Sequence, residues 1–183
     1  SIEDFNPKKK RNLSIAFVPE NRLGHSAVQE LSLSENILLS QFLGNDFSKM
    51  GILDFKKIDL YTKDVIKKFN VKTPSEKVFA KNLSGGNLQK FVIGREVNSK
   101  PKLLIIFQPT WGVDTGAESF IRQSLIKLSK EGSSLIVISQ DLDELIEITH
   151  HISVISNGIL SKPLETKNLD IKKLGMMMGG SID

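Results

Sequence analysis

The chain has 183 residues, 39% of them hydrophobic, and a formal net charge of +4: enough apolar content for one ordinary core, and too mild a charge for a nucleic-acid-coating polycation. It has no cysteine, which excludes disulfides and agrees with a cytosolic protein. No apolar stretch approaches the roughly 20 residues that span a bilayer and none reads as a secretory signal, so any membrane role has to come through a partner.

Lys8-Lys9-Lys10-Arg11 is the one basic run. No aromatic residues interleave it, so it reads as a solvated, frayed N-terminal turn rather than a phosphate or nucleic-acid contact. Residues 14–18 read as a short strand entering a turn at Pro19-Glu20. From 31 to 97 the pattern is mostly helical: Ser34 is placed to cap a helix over 36–42, and Leu60, Val65, Ile66 and Phe69 mark another. A further helix begins at Leu83-Ser84-Gly85-Gly86-Asn87-Leu88-Gln89, because Leu88, Phe91, Val92 and Arg95 recur at three- and four-residue spacing on one face. Pro101-Lys102 then leads into Leu103–Phe107, an apolar run with the length and composition of a buried parallel strand. After the turn-rich Gln108-Pro109-Thr110-Trp111-Gly112-Val113-Asp114 come helix 115–130, strand 135–139, helix 141–149, strand 152–156 and an amphipathic tail with Leu169 and Leu174. Strands alternating with amphipathic helices predict an α/β fold with a parallel sheet. Ligands of such sheets bind at the carboxyl ends of strands, where Gln108 and Gln140 fall. No internal repeat or low-complexity segment is present.

The two glycines after Ser84 let backbone N–H groups approach an anion with no Cβ in the way, and phosphate oxygens would also meet the Ser84 hydroxyl and the positive end of a helix dipole. Ser-Gly-Gly before a helix, by itself, reads first as a glycine-rich turn with Ser84 as N-cap. The apolar strand and the turn-rich loop downstream of it shift the weight toward an anion contact.

The order of these segments resembles the ATP-binding-cassette (ABC) ATPase family. Leu83 to Gln89 resembles the family's signature motif, Leu103–Phe107 its Walker B strand, and Pro109 to Asp114 the Pro-Thr-x-Gly-x-Asp loop that carries the D-loop. Within the family, the likeness is to the second cassette of tandem ATPases that energise sugar and nucleoside importers. Val18-Pro19-Glu20-Asn21-Arg22-Leu23-Gly24-His25 resembles their Pro-Glu-Asp-Arg segment, with Glu20 at the Q-loop position. Gly51-Ile52-Leu53, Val71-Lys72-Thr73-Pro74-Ser75-Glu76 and Gln108-Pro109-Thr110 are similar to the purine-nucleoside subgroup, which pairs with basic-membrane-type lipoproteins. The resemblance runs from about residue 14 to 180. It implies a P-loop NTPase-like cassette with a parallel sheet core and a helical subdomain carrying the signature. No Gly-x-x-x-x-Gly-Lys-Ser/Thr phosphate loop (Walker A) occurs, and the chain starts at Ser1 rather than Met, so a fragment or truncation lacking the first strands is expected. The implied organisation is a strand and Q-loop-like segment at 1–30, a helical signature subdomain at 31–97, an α/β core with degenerate Walker B, D-loop and H-loop positions at 98–163, and a C-terminal helix or tail at 164–183.

Where the family's Walker B strand ends Asp-Glu, this chain has Phe107-Gln108. Phe107 offers no oxygen to Mg²⁺, and Gln108 can orient a water but takes no proton at neutral pH. Gln140 stands at the switch-histidine position. The buried aromatic reading of Phe107 is itself the functional statement, since a buried aromatic cannot serve a metal. The resemblance implies that Ser84, Gly85, Gly86 and Gln89 complete an ATP site on a companion cassette packed head to tail, with Asp114 at the seam and Mg²⁺ held mainly by that companion. It also implies permease subunits in the membrane as partners, a substrate-binding lipoprotein indirectly, no nucleic acid, and a peripheral place on the cytoplasmic face. Two other readings stay open: a catalytically silent interaction half, and a soluble ABC ATPase acting on nucleic acid or ribosomes.

His25, His150 and His151 do not have the spacing of a metal site. Met176-Met177-Met178 reads as flexible packing. Asp141, Asp143 and Glu144 read as acids in a helix's first turn, where they meet the dipole favourably. Trp111 stands where relatives often carry Arg, as a seam contact or a loop aromatic.

Overall fold

The basic run is helical. In the computed structural model, which describes residues 4–21, 24–42 and 47–180, helix α1 (Pro7–Asn12) starts behind Asn6, whose Oδ1 accepts the Lys9 N–H at 2.8 Å. The Lys9 ammonium lies 3.7 Å above the Phe5 ring centre, and Arg11 donates to the Ser40 carbonyl. A local cap and a cation–π partner therefore hold a turn that composition alone leaves frayed. Strand β1 (Ile15–Val18) comes next, then helix α2 (Leu33–Gln41). The cap of α2 is Ser32 rather than Ser34. Ser32 Oγ accepts the Glu35 N–H at 3.2 Å and Glu35 Oε2 accepts the Ser32 N–H at 2.7 Å, a reciprocal box that Ser34, with Ile37 three residues on, cannot form. Ser34 is instead buried and donates to Asp59 Oδ1 at 2.7 Å.

Strands β2 (Ser48–Lys49) and β3 (Ile52–Leu53) form a hairpin whose two turn residues, Met50 and Gly51, both have positive φ, the turn that matches strand twist. Helix α3 (Phe55–Lys68) is capped by Asp54 and buries Ile58, Thr62 and Val65. It ends where Asn70 turns left-handed (φ 47) and the Val71 N–H returns to the Ile66 carbonyl.

Helix α4 (Gly85–Asn98) is the centre of the first of two compact units, Ser1–Ile138. Periodicity predicts one apolar face, but every residue from 88 to 96 is buried, because α3, β1 and helix α5 (Thr115–Lys130) all pack on α4. Strand β4 (Leu103–Phe107) lies between β1 and strand β5 (Ser134–Ile138) in a three-stranded parallel sheet. Ala16 pairs with Leu104, Val18 with Ile106, and Phe107 with Ile138. The expectation of a wholly buried β4 is corrected: Leu104 and Ile106 point into the core, whereas Ile105 and Phe107 lie on a face that carries the exposed Phe17, Ile136 and Ile138.

The second unit, Ser139–Asp183, holds α6 (Leu142–Ile148), β6 (His151–Ile152), β7 (Ile155–Ser156), β8 (Ile159–Leu160), β9 (Leu164–Glu165) and α7 (Ile171–Met178). The strand expected over 152–156 is two pieces, and neither runs parallel to its partner: β6 pairs with β9 and β7 with β8, both antiparallel. Asn157-Gly158, with φ 50 and 79, reverses the chain after β7, a hairpin signal that overrides the parallel reading. Ile152, Val154, Leu174 and Met177 form this unit's core, while Met176 and Met178 are exposed.

Gly94 of α4 lies tightly against Phe69, the residue that ends α3. A Cβ on Gly94 of α4 would sit 2.6 Å from the Phe69 ring carbons Cγ and Cδ2 and 3.1 Å from Phe69 Cβ, and Phe69 is itself held edge-on by Phe120 at 5.5 Å. Gly94→Ala should destabilise the chain by about 1–3 kcal/mol despite alanine's better helix propensity, measured by thermal or urea unfolding. A midpoint equal to wild type would show that α3 and α4 are not locked at this crossing.

Candidate functional site

The first turn of α4 places Ser84, Gly85 and Gly86. Ser84 is the N-cap: its Oγ accepts the Asn87 N–H at 3.5 Å and the Asn87 side-chain amide at 2.8 Å. In both bonds the hydroxyl oxygen accepts, so its proton remains to be donated outward. The Gly85 and Gly86 N–H groups belong to the first turn, where amides have no intrahelical partner, and Ser84 and Gly85 are exposed. Cap and anion-contact readings of Ser84 therefore coexist on one atom. Asn87, which sequence reasoning leaves out of the site, anchors this mouth: its Oδ1 also accepts the Lys72 backbone N–H at 2.8 Å. The signal available is its place inside the signature segment.

Gln89, grouped with these residues by the sequence, is turned inward. It is 3% exposed, and its Nε2 donates to the carbonyls of Pro109 at 2.9 Å and Gln108 at 3.3 Å. The amide is spent on the turn after β4 and does not share the exposed mouth.

At that turn Gln108 adopts φ 45 and its N–H bonds the Ile138 carbonyl at 2.8 Å, a left-handed backbone that costs a non-glycine residue roughly 1–2 kcal/mol. Phe107 is half-buried rather than buried, packed edge-on against Phe17 at 5.8 Å. A cavity of about 440 Å³ opens between these segments, lined by Glu20, Asn21, Leu83, Gly85, Leu88, Gln108 and Trp111. It brings the Q-loop-like Glu20, the signature segment and the strand end together. Arg22 and Leu23 of the 18–25 segment lie outside the described residues. Glu20 is the only carboxylate in that lining, so the donor set does not fit a Mg²⁺ ion, which wants near-octahedral oxygens.

Asp114 caps α5, its Oδ1 accepting the Ala117 N–H at 3.0 Å. That hydrogen bond, with the charges of Lys90 and Lys72, holds its carboxyl below the usual aspartate range. Gln140 is exposed and lies in the second unit, just before Asp141, the N-cap of α6. Asp143 and Glu144 occupy that helix's first turn, as expected, and Glu144 is buried. The three histidines are exposed.

A parallel α/β sheet with a buried helix that starts in Ser-Gly-Gly defines the class, an ATP-binding cassette. The fold matches a dimeric post-hydrolysis ATP-binding cassette bound to ADP and Pi, with a TM-score of 0.74 and 19% identity over 91% of this chain and 70% of that one. A second dimeric structure of that same cassette, described as a bacterial ABC transporter cassette, matches with a TM-score of 0.73 and 20% identity, over 88% and 67%. By sequence the chain is 37% identical, over its whole length, to the nucleoside import ATP-binding protein NupA of Lactococcus lactis, and 33% identical over 98% of its length to the guanosine import ATP-binding protein NupO of Bacillus subtilis. It is 37% identical over 91% of its length to the galactose/methyl galactoside import ATP-binding protein MglA of Escherichia coli. No family model matches. The chain is homologous to these nucleoside and sugar import ABC ATP-binding proteins and shares the fold of the ABC cassettes. It spans about a third of their length, covering 36%, 35% and 33% of the three.

The depressed Asp114 carboxyl gives a pH prediction. Its cap is present in full above the unfolded aspartate value and is lost as pH falls through the lower folded value. A carboxyl NMR titration should place Asp114 below the ordinary aspartate midpoint, and Asp114→Asn, which caps without titrating, should remove this residue's share of acid destabilisation. A titration at the ordinary midpoint would show that the cap does not form.

Proposed function

We propose that this chain is the signature-bearing part of an ABC import ATPase, lending Ser84, Gly85 and Gly86 to ATP held by a companion cassette while its own strand end is hydrolytically impaired. One observation carries this reading: within a single unit, the α4 N-terminus presents a hydroxyl proton and first-turn amides outward, while β4 ends in Phe107-Gln108, with no acid to bind a metal or activate water. Donors of this kind fit the terminal phosphate of ATP, and fixed amides aimed at developing charge are a large catalytic contribution in phosphoryl transfer. Magnesium does not fit the residues at this chain's strand end, so its ligands belong to the companion cassette. Asp114, adjoining the Gly86–Gly112 approach, would lie at the seam.

The names of the relatives support nucleoside or sugar import as the process energised, with permease subunits as membrane partners and a substrate-binding lipoprotein beyond them. Among the described residues no helix is long and apolar enough to cross a membrane. Attachment on the cytoplasmic face would therefore run through the permease.

The test is made in the assembled ATPase. Ser84→Arg should lower ATP turnover by at least about 100-fold, and Gln108→Ala by no more than about threefold. Equal losses would overturn the asymmetry. Gly86→Ala separates folding from function. Its Cβ would meet the Gly112 oxygen at 3.5 Å and Val113 Cα at 3.7 Å, ordinary contacts, so the chain should unfold at the wild-type midpoint or above while turnover falls. Unchanged turnover would remove Gly86 from the phosphate contact.

A further inference from the structure

The buried amide of Gln89 joins two parts of the chain that the proposed function treats separately. It leaves α4 one turn after Ser84–Gly86 and reaches the Pro109 and Gln108 carbonyls at 2.9 and 3.3 Å. Gly86 meets the far side of the same segment, its Cβ position 3.5 Å from the Gly112 oxygen. Two contacts about one turn apart along α4 fix both its height and its tilt on the turn that ends β4. Sliding or tilting α4 would strand the buried Pro109 carbonyl without its Gln89 donor, at a cost on the scale of a buried unsatisfied group. The turn itself is under backbone strain at Gln108 (φ 45), so it holds its shape only while its neighbours over-determine it.

We infer that Gln89 is a positioning residue: its amide makes the Ser84–Gly86 mouth and the 108–112 turn one rigid body, so that displacement at either is felt at the other. This goes beyond the contact with ATP in trans, and its consequence for turnover rests on that reading. Gln89 touches no phosphate. It acts by holding the groups that do.

Trp111 gives a direct probe. It lies on this turn, and its main-chain N–H donates to the Gln108 carbonyl at 3.2 Å, so exchange of that amide reports whether the turn is closed. Gln89→Met keeps length and volume but cannot donate; Gln89→Asn keeps the amide but falls one methylene short. In the purified full chain, both should speed hydrogen exchange of the Trp111 main-chain amide at least about tenfold, as the turn opens locally, with wild-type circular dichroism. Should Gln89→Met not fold, Gln89→Asn alone carries the measurement. In the assembled ATPase, Gln89→Met should lower kcat about tenfold, the scale of one buried hydrogen bond, with the KM for ATP within about twofold of wild type. Wild-type exchange in a folded variant overturns the tie. Altered exchange with unchanged kcat overturns the positioning role. Turnover surviving Ser84→Arg defeats the proposed function instead, whatever Trp111 reports.

Discussion

A helix buried on every side must find a partner for each polar side chain it carries, and α4 carries four through its middle. Gln89 is satisfied by the turn after β4. Lys90, 7% exposed, donates to the carbonyl of Asn70 at 3.1 Å, at the negative end of α3. Arg95 pairs with Glu96 at 2.7 Å and reaches the Asn36 carbonyl of α2, while Gln41, also of α2, donates to Glu96 at 3.3 Å. The partners lie on three separate segments: the turn after β4, the end of α3, and α2. Leaving one of these groups buried and unpaired costs about 1–3 kcal/mol, and more for the charges, so a rotation of α4 by one residue is excluded several times over. The direction in which Ser84 faces outward is set by this constraint rather than by the loop that carries it.

The same set of partners shapes the electrostatics of the mouth. Asn87 ties the first turn of α4 to Lys72, and Lys90 lies one turn further along. Both lysines act on Asp114, which stays ionised because its carboxylate caps α5. The acid would oppose an incoming anion, and the two lysines with the first-turn amides of α4 offset it.

Much of the scaffold is legible in the sequence, for identifiable reasons. The bounds of β4 and α5 can be read directly, since an apolar run after Pro101 and a capped amphipathic run are local signals. The central position of α4 cannot, because nothing in the periodicity signals that Lys90 and Glu96 are buried until their partners on α2 and after α3 are known. The inward bonds of Gln89, expected among the nucleotide-contacting residues, are not legible either: its acceptors are backbone carbonyls, which no side-chain pattern announces. The cap of α2 is displaced by two residues because Ser34 is the more central serine, although Ser32 has the glutamate that completes a box. At 152–156, periodicity outweighs the Asn-Gly pair that in fact reverses the chain.

On the proposed function, the backbone of the turn after β4 would also account for how the acids of a Walker B strand can be absent while the mouth of α4 is kept. The bonds that tie this turn to β5 and α4 are made by its own main-chain atoms: the Gln108 N–H to Ile138, and the Gln108 carbonyl from Gln89 and Trp111. The side chains at 107 and 108 contribute none of these. Phe107 is accommodated by the edge of Phe17, on the sheet face away from α4, so replacing an acid there changes no contact to the helix. On that proposal, hydrolytic chemistry would depend on the side chains at 107 and 108 and the positioning of α4 on the main chain of the turn, so loss of the first would impose no penalty on the second.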